Sequence, residues 1–170
     1  MNGPAAAGGA VGRALDLACR ACAVLGGLLL AGLALAVVGS IAGRACCDAP
    51  VPGDYELAQI AVAVAVSLCL PWCQLHRGHI AVDFFTTRLA PRRQIRLDAL
   101  GALILALVCG LLAWRTGVGA ADMFAAGETT MILGFPLWLG YAAAVPGLAL
   151  AGVAALYGAA HDWRRSYRWP

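Results

Sequence analysis

From Ala21 to Gly43 the chain carries no charged residue, and three further charge-free runs follow, Leu57 to Leu75, Ala99 to Trp114 and Thr129 to Ala160. A helix rises 1.5 Å per residue, so a run of roughly 20 apolar residues crosses a hydrocarbon core about 30 Å thick. Four such runs leave little choice of fold. The balance of residues agrees: 62% are hydrophobic and 12% charged, against about a quarter charged in soluble domains. The expected architecture is an all-α integral membrane protein, one membrane domain over residues 1–170, with spans near 21–42, 57–75, 97–117 and 133–157. The third run covers only about 24 Å at 1.5 Å per residue, so it must borrow Leu97 and a snorkelling Arg115 beside Trp114.

The first run exceeds the 7 to 15 apolar residues of a signal peptide and is followed by no convincing A-x-A site, which predicts a retained first helix. The segment Arg44 to Asp54 holds two Pro, one Gly and two Asp, the chemistry of a turn. Glu56 then stands at the N-terminus of the second helix, where the helix dipole favours a carboxylate. Gln59 and Ser67 are the polar interruptions of that helix, and Pro71 is expected to kink it near Trp72. In the fourth run Pro136 lies near the beginning, Trp138 near the expected interface, and Pro146-Gly147 at a bend. Small residues recur at four-residue spacing in three stripes: Gly32, Ala36 and Ser40; Ala102, Ala106 and Gly110; Ala143, Gly147, Ala151 and Ala155. Such stripes let helices approach closely in lipid.

Between the second and third runs lies the one long basic, patterned segment, Leu75 to Arg96, with five of the twelve Arg and two of the three His. Around a helix, Ile80, Ala81, Val82, Phe84, Phe85 and Leu89 gather on one side and Asp83, Thr86 and Thr87 on the other. Too short to span, residues 79–90 are expected to form an amphipathic helix in the cytoplasmic interface, ended by Pro91 and followed by Arg92, Arg93 and Arg96. The N-terminal segment, this central segment and the tail hold ten of the twelve Arg, leaving Arg44 and Arg115 to the other two loops. The positive-inside rule then places both termini and the central segment in the cytoplasm.

No Asp, Glu, Lys, Arg or His falls at the middle of a predicted span, whereas ion and proton pathways normally need such a group. The chain alone is thus a poor carrier, and no embedded carboxylate on the first helix suggests a small multidrug exporter. The basic residues cluster beside apolar runs, where they meet anionic lipid, and no nucleic-acid motif is present. Of the seven Cys, most lie in or beside apolar runs and read as small hydrophobes. Cys19 and Cys22 form a CxxC without a second pair. His79 and Asp83 share a helical face near His76, but a metal site needs a third or fourth well-placed ligand, so neither a metal nor a cofactor is expected. A four-helix, quinone-linked thiol-disulfide oxidoreductase is the enzymatic alternative; it requires cysteine pairs in both external loops. Here only the first loop has them, as Cys46 and Cys47.

The central segment RGHIAVDFFTTRLAPRRQIRLDAL resembles the signature of the small membrane subunit of TRAP (tripartite ATP-independent periplasmic) transporters, the DctQ-like family. Arg77, Gly78, His79, Ile80, Val82 and Asp83 match it directly, the last four as its H-I-x-V-D core, and Arg92 and Arg93 fall in its Pro-Arg-rich exit. TTMILGFPLWLGYAAAVPG, with Thr130, Pro136, Trp138 and Pro146, is similar to the family's fourth-helix pattern, and Glu56 occupies its acidic position at the second helix. The resemblance implies a non-catalytic scaffold in the bacterial inner membrane. Its implied partners are a large multi-span membrane subunit, driven by a Na+ or H+ gradient, and a periplasmic substrate-binding protein for an organic acid. It also implies that the motif residues contact a partner or membrane lipids.

Overall fold

The computed structural model describes residues 10–47, 52–76 and 91–168. Four long helices account for nearly all of them: α1 (Ala10–Cys47), α2 (Asp54–Leu75), α3 (Pro91–Ala126) and α4 (Leu137–Arg168). Each contains a stretch long and apolar enough to cross a membrane. Within hydrocarbon a helix is the one open-chain element that satisfies its own backbone, so the charge-free runs leave these segments no alternative.

The helices outlast the apolar runs. The 38 residues of α1 extend about 57 Å at 1.5 Å per residue, well beyond a hydrocarbon core. Pro91 opens α3, where its missing N–H costs no helical hydrogen bond. Helix α2 continues through the buried Pro71 to Leu75, and α4 continues through Pro146. The fourth apolar run becomes helical only at Leu137.

Packing follows the order α1, α2, α4, α3 in an open row. Helix α2 lies between α1 and α4, α4 between α2 and α3, and α1 meets α4 only marginally. Small residues make the seams. A Cβ on Gly147 of α4 would fall on the backbone of Ser67 and Leu68 of α2, and one on Gly26 of α1 would stand 2.9 Å from the Ala65 carbonyl oxygen. Against α3, Gly152 of α4 approaches Ala106, Cys109 and Gly110. Side chains this small let backbones gain dispersion contacts that bulkier ones would prevent, the main source of helix association where lipid is as apolar as protein.

The stripe on α4 is buried at Gly147, Ala151 and Ala155 and exposed at Ala143, and that on α3 is buried at Ala106 alone. The α1 stripe differs more: Gly32 and Ala36 are exposed, and only Ser40 is buried. The packed seam of α1 repeats every seven residues instead, through Gly12, Cys19, Gly26, the half-buried Leu33 and Ser40. A seven-residue repeat keeps one face toward a neighbour over many turns when two helices supercoil gently.

Candidate functional site

The turn that opens α2 and the loop joining α3 to α4 meet at one end of the row. Gly53, immediately before α2, has φ 78°, a left-handed conformation that glycine adopts without Cβ strain. A Cβ there would also lie 2.5 Å from Leu133 Cγ, so the α3–α4 loop rests directly on this turn. One turn below, the buried Ser40 hydroxyl of α1 donates to Asp54 Oδ2 at 2.7 Å. Asp54 and Glu56 occupy the first turn of α2, and Arg44 the last turn of α1, each where the helix dipole favours its charge.

The α3–α4 loop is a compact hairpin. Helix α3 ends in a Schellman motif: Gly127, at φ 65°, donates to the Phe124 carbonyl and Glu128 to that of Met123. The two arms then join, with Thr130 N–H donating to Phe135 O at 2.9 Å and Leu137 N–H to Glu128 O at 3.1 Å. Thr129 and Pro136 face each other as an isolated antiparallel bridge. At the turn, Gly134 donates to Thr130 O and Phe135 N–H to Thr130 Oγ1.

Glu56 fastens this hairpin. Its Oε1 accepts the Ile132 N–H at 3.0 Å and its Oε2 the Leu133 N–H at 3.1 Å. The Thr130 hydroxyl and Met131 amide also act on the carboxylate. Bonds from backbone amides to an ionised acceptor are short and strong, so one side chain ties two loops together. Both carboxylate oxygens are engaged in positioning this backbone.

Of the residues singled out in sequence, Glu56, Pro136 and Trp138 come together at this end. Pro136 closes the hairpin bridge, and Trp138 packs edge-on against Phe124, ring centroids 5.4 Å apart, across the junction of α3 and α4. Arg92 and Arg93 lie in the first turn of α3, at the opposite end. Arg77, Gly78, His79, Ile80, Val82 and Asp83, with the expected interfacial helix 79–90, lie outside the described residues.

At that opposite end His76 Nε2 is 3.4 Å from Asp16 Oδ1 of α1, and its ring stacks on Trp72 at 3.8 Å. Cys19, Leu75 and Ala154 close the core beneath, joining α1, α2 and α4. The described thiols form no disulfide; Cys19 and Cys109 are buried, as small apolar groups would be.

A groove of about 420 Å³ opens between α2, α3 and α4, with Gln59, Ser67, Thr116 and Tyr141 among its lining residues. The Ser67 hydroxyl is satisfied by the Ala63 carbonyl one turn back. The two polar interruptions of α2 thus share one groove. Sequence alone singled out Glu56 as an acidic helix N-terminus; its partners, 76 and 77 residues away, leave no local signal.

No curated protein and no solved structure matches this chain. The family model described as "Tripartite ATP-independent periplasmic transporters, DctQ component" matches residues 33–165, from mid-α1 to the end of α4. Four membrane-crossing helices joined as described accord with that match, and the chain belongs to the DctQ-component family of these transporters.

Proposed function

We propose that this chain is the non-catalytic small permease subunit of an ion-gradient-driven transporter, working with a large multi-span membrane subunit and a periplasmic binding protein to import an organic acid. The observation that carries this reading is the open row of helices, whose spans keep their middles free of charge. Ion and proton pathways across a membrane normally need embedded ionisable groups. A single row with apolar faces on both sides offers a brace for a larger partner.

The subunit sits in the bacterial inner membrane with both termini cytoplasmic. The ten-to-two division of Arg between alternate loops supports this orientation, which puts the hairpin latched by Glu56 on the periplasmic side. Reporter fusions at the 77–90 segment test it; activity of an external reporter there would reverse the topology. In the same reading His79 and Asp83 contact the large subunit or lipid head groups, so His79→Ala or Asp83→Ala weakens assembly or uptake by the complex.

The thiol-disulfide alternative gains no support. The α3–α4 loop contains no cysteine, so the second external pair needed for electron transfer is missing. The decisive experiment is reconstitution. The chain is expected to co-purify with a large multi-span partner and to show no uptake in proteoliposomes by itself; uptake by the chain alone would overturn the proposal.

A further inference from the structure

The tip of the α3–α4 hairpin exposes apolar side chains. Met131 is 99% exposed and Ile132 65%, with Leu133 and Phe135 exposed beside them. No charge interrupts the sequence from Thr129 to Ala160. The hairpin hangs directly on two membrane-crossing segments, Ala99–Ala126 and Leu137–Ala160. Phe124 and Leu139, near the ends of the two segments that it joins, are exposed as well.

A loop resists entering the membrane interface because its backbone N–H and C=O groups lose water. On the N–H side this loop has largely replaced that water. The amides of Thr130, Gly134, Phe135 and Leu137 bond within the hairpin, those of Ile132 and Leu133 bond to Glu56, that of Met131 acts on the same carboxylate, and position 136 is a proline without an N–H. The Leu133 side chain rests on the Gly53 turn, while Met131 and Ile132 are left the most exposed.

We infer that the Met131–Leu133 tip is a membrane anchor, seated in the boundary between lipid head groups and acyl chains, with Glu56 holding the loop in the form that can enter it. Apolar side chains backed by hydrogen-bonded amides suit that boundary, where head groups and interfacial water can still meet the carbonyls. The inference requires only that the four helices cross a bilayer and is independent of what is transported.

A photoreactive p-benzoylphenylalanine at position 131 tests it in native membranes containing the assembled transporter. Met131 is 99% exposed, so the replacement is expected to leave the fold intact. Illumination is expected to give a covalent adduct of one phospholipid mass on the intact chain. A cross-link to a protein instead would assign the tip to a protein interface and overturn the inference. Absence of any adduct would place the tip in water and overturn it as well.

Discussion

The carboxylate of Glu56, in the first turn of α2, holds the amides of Ile132 and Leu133, 76 and 77 residues further along the chain. This contact fixes the α1–α2 and α3–α4 connections as one unit at one end of the helix row. Removing it is expected to free the hairpin and leave the helices in place. In Glu56→Ala, hydrogen exchange at Ile132 and Leu133 should quicken on the order of tenfold, because the amides lose a charged acceptor. Glu56→Gln keeps one acceptor oxygen and should give a smaller change. Unaltered exchange in the alanine variant would show that the latch does not hold the loop.

Gly53 is required twice, by its positive φ and by the closeness of Leu133. Gly53→Ala should therefore cost about 1–2 kcal/mol from backbone strain, plus a clash that the leucine side chain can partly relieve by moving. In a double-mutant cycle, Leu133→Ala should recover the clash and leave the strain. Thermal unfolding in detergent measures both; full recovery would mean that φ carries no cost.

The glycines in the seams are not equivalent to those elsewhere. Gly147→Val would force α4 away from the α2 backbone at Ser67 and Leu68, and should cost about 1–3 kcal/mol or more by overpacking. Gly32→Ala on α1 meets nothing within 4 Å and should be neutral or stabilising by about 0.5–1 kcal/mol in the isolated chain. Melting temperatures of the two variants in one detergent decide the comparison. Equal destabilisation would contradict the seam assignment.

The His76–Asp16 contact is a different case. Both side chains are over a third exposed, so solvent screens the pair and its coupling should stay below about 1 kcal/mol. A double-mutant cycle with His76→Ala and Asp16→Ala measures it. The larger loss in His76→Ala should come from its stacking on Trp72, and so should persist in high salt.

How far the architecture is legible before folding differs from helix to helix. The four crossings follow from charge-free runs, since hydrocarbon admits few other backbone arrangements. Which face of each helix is packed is far less visible. On α1, the Gly32 and Ala36 spacing suggested a seam, yet those residues are exposed while Gly12, Cys19, Gly26 and Ser40 are buried at a seven-residue repeat. In an Ala- and Gly-rich helix many small-residue stripes coexist, and a neighbour selects one.

The same division holds at the loops. An acidic residue at the start of α2 and a turn rich in Pro and Gly are local features, and Glu56 stood out on that basis. Its role as a latch depends on Ile132 and Leu133, brought within 3.0 and 3.1 Å by the antiparallel course of the helices. Sequence by itself determined that this chain crosses a membrane four times and how its Arg residues divide between alternate loops, because burying charge and bare backbone in lipid is so costly. Only the tertiary structure decided the order α1, α2, α4, α3, the seams and the joined loops. Apolar faces look alike to lipid and to protein, so close packing, a property of two surfaces together, makes the choice.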